Sequence, residues 1–124
     1  MWSVEYEYIL EWLDAQDDET VAHVFAAFEL QQQEGPNLGR PLVDALANTR
    51  LKNLKELRPA SPKGSEVRIL FAFDPKRSAI MLLAGDKSKG KRSKVKRSGW
   101  YKAAIPKAEE VYQRHLRRLE EQDG

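Results

Sequence analysis

Residues 66–87 read EVRILFAFDPKRSAIMLLAGDK. Two short apolar arms, 66–74 and 78–84, flank Asp74-Pro75-Lys76-Arg77, whose residue types favour a tight turn, so the stretch predicts an antiparallel hairpin. Because successive strand side chains point to opposite faces, Val67, Ile69, Phe71 and Phe73 share one face and Arg68, Leu70 and Ala72 the other. The first set is expected to face a core. Arg68 is then placed on the non-core face.

Working toward the N-terminus, Trp2, Val4, Tyr6 and Tyr8 alternate with polar residues, which predicts a first strand. From Ile9 the apolar spacing lengthens: Ile9, Leu10, Trp12 and Leu13 can share a helical face, and Val21, Val24, Phe25 and Phe28 extend a second stripe after an Asp17 or Asp18 N-cap. Two helices are expected, stopping at Gly35-Pro36, with Gly39 and Pro41 as further breakers. Leu42 to Leu46 is expected as a helical turn. NLKELR at 53–58 fits a short strand or a helical turn equally. Toward the C-terminus, Ala104, Ala108, Val111, Tyr112, His115 and Leu119 recur at helical spacing, and Pro106 suggests a start near Ile105 with proline in the first turn.

With 124 residues the chain is expected to form a single domain spanning 1–124. It has no cysteine, which removes disulfides and thiolate metal ligands, and neither a metal nor another cofactor is expected. No apolar run has the length of a membrane span, and MWSVEYEYILEW lacks the basic start of a signal peptide, so a cytoplasmic protein without membrane contact is expected. His23 and His115, the latter beside Arg114 and Arg117, are far in sequence from the basic 86–98 loop and are expected to serve packing or the surface. Ser88, Ser93 and Ser98 have no His-Asp arrangement around them, and the glycines are too far apart for a phosphate-cradling loop.

Charge is distributed unevenly. Residues 1–39 hold nine carboxylates and no Lys or Arg, whereas residues 40–124 hold all 21 Lys and Arg against the remaining ten carboxylates. Within the second part, DKSKGKRSKVKRSGWYK at 86–102 carries eight Lys and Arg, one carboxylate, and ends in Trp100 and Tyr101. Cations that neutralise phosphates beside aromatics that stack on bases suit a nucleic acid. Lys89, Lys91, Arg92, Lys94, Lys96 and Arg97 are assigned to phosphate-backbone electrostatics, with Lys55 beside them and Trp100 as a stacking surface. The competing reading is a solvated basic loop.

The segments EGPNLGRPLVDAL, NLKELRP, EVRILFAFDP, AIMLLAGDKS and WYKAAIPKAEEVYQRHL, in this order, resemble the RelE/HigB superfamily of bacterial toxins, in particular its phage-derived, HigB-like branch. The resemblance covers nearly the whole chain. It implies a compact α+β RelE-like domain, an antiparallel sheet against N-terminal helices with a C-terminal helix, in which NLKELR is a strand. It further implies the toxin of a type II toxin-antitoxin system: an endoribonuclease that enters the ribosome, cuts messenger RNA and blocks translation, held inactive by a helix-turn-helix antitoxin. Alternatives are a non-catalytic nucleic-acid or ribosome-binding module, or a gyrase-directed ParE-like toxin on the same fold. Two departures stand out: Leu54 and Glu56, flanked by Lys52 and Lys55, occupy the region where family members carry Lys pairs or a His, and the 90–99 connection is longer and more basic.

Metal-free RNA cleavage needs a base for the 2′-OH, positive charge for the phosphorane and an acid for the departing 5′ oxygen. Arg68 and Arg58, on neighbouring antiparallel strands, are expected to reach one phosphate, where a guanidinium binds in bidentate fashion. The alternative for Arg68 is a surface ion pair with Glu56 or Glu66. Lys87 resembles the family's basic residue after its fourth strand and is assigned transition-state charge or the general acid. Asp86 is assigned to orienting Lys87 or taking a proton, unless it only forms the turn. Tyr101 is expected to donate a proton or stack on a base, and one of Trp100 and Tyr101 is expected to be buried.

Overall fold

The computed structural model describes residues 1–47, 49–62, 64–88 and 94–123, with only the backbone for 94–98. In chain order the elements are β1 (Ser3–Glu5), a 3-10 turn at Glu7–Ile9, α1 (Leu10–Asp14), α2 (Asp18–Glu34), a 3-10 turn at Gly35–Asn37, β2 (Val43–Ala45), β3 (Lys55–Leu57), β4 (Val67–Phe73), β5 (Ser78–Asp86) and α3 (Lys94–Asp123). The hairpin forms as its alternation requires. β4 and β5 pair antiparallel from Val67 opposite Asp86 to Phe73 opposite Ala79, with a bulge between Leu70 and Phe71. At the turn, Asp74 Oδ1 accepts the backbone N–H groups of Lys76 and Ser78, each at 3.0 Å, and Arg77 takes the left-handed conformation at φ 65°.

The sheet order is β1-β5-β4-β3-β2. β2, β3, β4 and β5 pair antiparallel, while β1 adds to β5 in parallel, bringing Val4 opposite Ala79. This is the α+β architecture expected, with one parallel edge. Asp17 caps α2 by accepting Thr20 N–H at 2.8 Å, and Gly35 ends it at φ 56°. A Cβ on Gly35 would overlap the Trp2 ring at Nε1, so the indole occupies the space a side chain would need.

Four local expectations are corrected. The first strand ends at Glu5, and Tyr6 and Tyr8 turn inward: Tyr6 stacks on Phe28 at 5.5 Å between ring centroids. Val43–Ala45 is a strand rather than a helical turn, because so short a segment cannot nucleate a helix while β3 offers it a hydrogen-bonding edge. α3 starts at Lys94, so Pro106 lies inside the helix. Ala104, Ala108 and Tyr112 are buried in one cluster on the sheet, with Trp100 against it, and this holds the two halves of α3 in line across the hydrogen bond that proline removes. Finally, both faces of β4 are buried. Val67, Ile69 and Phe71 meet Ile9, Leu13, Val24 and Phe28 on one side. Leu70 and Ala72 meet α3 on the other, so Arg68 emerges at the rim of a second core instead of on an open face. The strand 55–57 that the family resemblance implied is present. Among the described residues no helix is long and apolar enough to cross a membrane.

His115 serves packing, as expected, but through polar contacts. It is 4% exposed, its Nε2 lies 2.8 Å from Asp74 Oδ2, and its Nδ1 lies 2.8 Å from the Tyr8 hydroxyl, which accepts from Arg118 at 2.8 Å. Asp74 accepts through Oδ2, so Nε2 carries a proton, and Nδ1 with the Tyr8 hydroxyl forms the next link. The chain links the hairpin turn, the N-terminal segment and α3. His115→Ala strands the buried Asp74 carboxylate and removes the ring partner of the half-buried Tyr8 hydroxyl, which costs about 1–3 kcal/mol. With a urea slope of about 1–3 kcal/mol/M, its unfolding midpoint is expected to fall by roughly 1 M. A midpoint equal to the wild type's would show that the chain does not support the fold.

Candidate active site

β3 and β4 pair with Lys55 opposite Phe71, Glu56 opposite Leu70 and Leu57 opposite Ile69. Continuing that register sets Arg58 opposite Arg68, and across β4 Arg68 is opposite Gly85 of β5. One transverse row of the sheet thus carries two guanidinium groups and a glycine. The glycine is required by contact: a Cβ on Gly85 would stand 2.9 Å from Trp100 Nε1, so the indole lies flat on the strand. Trp100 meets Tyr101 edge to face at 5.0 Å. Both aromatics are half-buried, where one was expected to be buried.

Two residues back along β3, on the same face as Arg58, lies Glu56, at 1% exposure. Its Oε1 accepts Arg58 Nε at 3.0 Å and the Tyr101 hydroxyl at 2.9 Å. Arg68 Nε stands 3.1 Å from the same oxygen at an ion-pair distance, but its N–H is misaligned, so that contact is electrostatic and not a hydrogen bond. Arg68 NH1 donates to the Val67 carbonyl at 2.8 Å, which fixes its plane. Exposure rises outward, from 1% for the Glu56 side chain through 16% for Arg68 to 34% for Arg58. Arg58 NH2 also reaches Asp44 at 3.1 Å, where Arg40 pairs at 3.0 Å.

Lys87 approaches from the end of β5. Its Nζ lies 3.4 Å from the Tyr101 hydroxyl and 5.3 Å from the centre of that ring, so lysine, phenol and the Glu56 carboxylate form a file with the phenol between. Burial pushes the Tyr101 phenol well above its ordinary pKa, the Glu56 carboxylate reinforces this, and Arg68 opposes it. The hydrogen bond that Arg58 donates to Glu56 raises the pKa of its guanidinium. Arg40, Arg58, Arg68 and Lys87 outnumber Glu56 and Asp44, and the cluster is suited to an anion.

Seven of the sequence-predicted site residues have their side chains described. Arg58, Arg68, Lys87 and Tyr101 converge. Asp86 sits beside them, but its Oδ1 accepts Glu66 N–H at 2.9 Å, Ser88 N–H at 2.9 Å and the Ser88 hydroxyl at 2.5 Å, which is turn-forming work. Lys55 does not join: one residue from Glu56, it points to the opposite face, with Nζ 5.5 Å from the Phe73 ring centre. Trp100 props Tyr101 from a partly buried position. Lys89, Lys91 and Arg92 lie outside the described residues, and Lys94, Lys96 and Arg97 fall in the first turns of α3 with their side chains outside them. The sequence marks Glu56 only as a surface partner for Arg68. Its one signal is a carboxylate two residues before Arg58 in a strand flanked by Leu54 and Leu57.

Residues 11–113 match the family described as Phage derived protein Gp49-like. In Mycobacterium tuberculosis (strain ATCC 25618 / H37Rv), the protein named "Putative toxin HigB2" is 49% identical over 120 residues, covering 97% of this chain and 57% of its own length. The chain thus spans little more than half of that relative. "Putative toxin HigB3" of the same strain is 46% identical over 99 residues, covering 80% of this chain and 79% of its own length. These names agree with the HigB-like branch that the motifs resemble. The family match includes every strand from β2 to β5 and the whole Arg58, Arg68, Lys87 and Tyr101 cluster, and the chain belongs to the phage-derived Gp49-like family.

Proposed function

We propose that this protein is the toxin of a type II toxin-antitoxin system and acts as a metal-independent, ribosome-dependent endoribonuclease on messenger RNA. The observation that carries the reading is the convergence of Arg58, Arg68, Lys87 and Tyr101 on one rim of the sheet around the buried Glu56. The names of the HigB relatives support the toxin assignment. In the reaction, the 2′ oxygen gives its proton to a solvent base and attacks the adjacent phosphorus, and the bond to the 5′ oxygen breaks as that oxygen takes a proton from Lys87 or from water, leaving a 2′,3′-cyclic phosphate. Arg68 and Arg58 neutralise the phosphorane. Lys87 supplies further charge or the proton for the leaving oxygen, and Tyr101, held protonated and donating to Glu56, positions Lys87 by accepting from it at the phenol oxygen. Glu56 acts as a positioning residue, fixing both arginines and the phenol. The basic residues between Lys89 and Arg97 hold ribosomal RNA or substrate by their phosphates. A cognate helix-turn-helix antitoxin restrains the enzyme in the cytoplasm.

The test is primer extension on a reporter transcript after induction, with and without its start codon. The wild type is expected to give new 5′ ends only in the translated message. Arg68→Lys and Lys87→Ala should each reduce them at least about tenfold, since removing one transition-state interaction costs roughly 2–4 kcal/mol. Arg117→Ala, exposed far along α3, should match the wild type. Unchanged 5′ ends from soluble protein would exclude the nuclease, and DNA breakage in their place would point to gyrase.

Tyr101 gives a second check. Its folded-state pKa is raised above the ordinary 10.0 by burial and by Glu56. Its contribution to stability is therefore complete below pH 10 and is lost as pH rises beyond that, because the unfolded phenol ionises first. Absorbance titration should show a late-ionising phenol that disappears in Tyr101→Phe, and the variant's stability should fall less steeply above pH 10. Loss instead of a phenol that ionises near the ordinary 10.0 would place Tyr101 in solvent.

A further inference from the structure

Pro106 has no N–H, so the carbonyl of Lys102, one turn earlier, loses its helical partner. The same proline lines two adjoining cavities. One, of about 490 Å³, is bordered by Tyr101, Lys102 and Arg50; the other, of about 690 Å³, by Arg50, Lys52 and Asn53. They share Arg50, Pro106 and Glu109 and so form one groove between α3 and the connection from β2 to β3. Each volume lies within the range of about 300–1,000 Å³ usual for ligand sites. The wall is fixed, because Glu109 Oε2 accepts the backbone N–H groups of Arg50 at 2.6 Å and Leu51 at 3.0 Å. That leaves the side chains of Arg50, Lys52 and Lys102 exposed along it.

Resting on the nuclease reading, we propose that this groove holds the nucleotides flanking the scissile phosphate of a single-stranded RNA. Arg50, Lys52 and Lys102 meet its phosphates, and the Lys102 carbonyl offers an acceptor to the amino group of a base. Three features favour RNA over a protein segment. The groove opens at Tyr101, inside the cation cluster. Three exposed cations line it against one exposed carboxylate, Glu110, while Glu109 is committed to backbone N–H groups. Its length, from Tyr101 to Gln113 along α3, is about 18 Å at 1.5 Å per residue, enough for more than one nucleotide.

The experiment uses the full chain and a 2′-O-methyl RNA oligonucleotide, which has no free 2′-OH nucleophile, so binding is read without cleavage. Fluorescence anisotropy at low salt should show binding that Arg50→Glu, Lys52→Glu and Lys102→Glu each weaken severalfold, and in combination at least about tenfold. The salt slope should flatten by about 0.7 for each phosphate that is no longer neutralised. Arg117→Glu should bind like the wild type. Photo-crosslinking from a 4-thiouridine in the same oligonucleotide should label residues 50–53 and 102–106. Absence of wild-type binding, affinity indifferent to the three reversals, or crosslinks confined to other segments would overturn the groove. Protection of the groove by a protein partner but not by RNA would do the same. Because primer extension reads cleavage separately, the nuclease reading can survive loss of the groove, and groove binding without cleavage would sink the nuclease reading alone.

Discussion

A carboxylate at 1% exposure must be paired, and Glu56 sets the terms for everything near it. Taking an ion out of water costs several kcal/mol, and removing one partner of a buried pair costs about 3–5 kcal/mol, so the partners are not optional. Three groups from three segments meet that demand on a single oxygen: Arg58 beyond β3, Arg68 in β4 and Tyr101 in α3. One buried negative charge draws in two guanidinium groups and leaves the rim positive. A cationic rim thus arises from a requirement of folding.

The hairpin was legible because its period-two pattern and turn residues act within a few residues of each other. The α3 stripe was legible for the same local reason, and the cluster of Arg58, Arg68, Lys87 and Tyr101 followed from strand pairing plus the family resemblance. What escaped depends on contacts across the fold. Val43–Ala45 is a strand only because β3 lies beside it. Leu70 and Ala72 are buried only because α3 covers them, and α3 extends through Pro106 only because residues on both sides of the proline pack on the sheet. Glu56 reads locally as an ordinary polar position. Its burial is decided by an arginine in the next strand and a tyrosine in the last helix, beyond the few residues that periodicity inspects.

The two cores divide labour. On one face, α1, α2 and the rings of Tyr6 and Phe28 make an aromatic-rich layer, with the exposed Phe25 at its edge. On the other, small residues of α3 let the helix lie close to β4 and β5, and the polar cluster occupies the rim where that contact ends. The His115 chain closes the opposite end of the same helix. α3 is thereby anchored by polar contacts at both ends of its sheet-facing stretch, which holds Tyr101 to a defined height above Arg68.

That height is governed at Gly85, where the indole of Trp100 rests against bare backbone. A single methyl there would act as a shim, lifting Trp100 and tilting its neighbour Tyr101 away from the carboxylate. The most sensitive dimension of the cluster is therefore set by a residue with no functional group of its own. Substitutions that shave side chains down would pass over it, because here the damage comes from adding atoms.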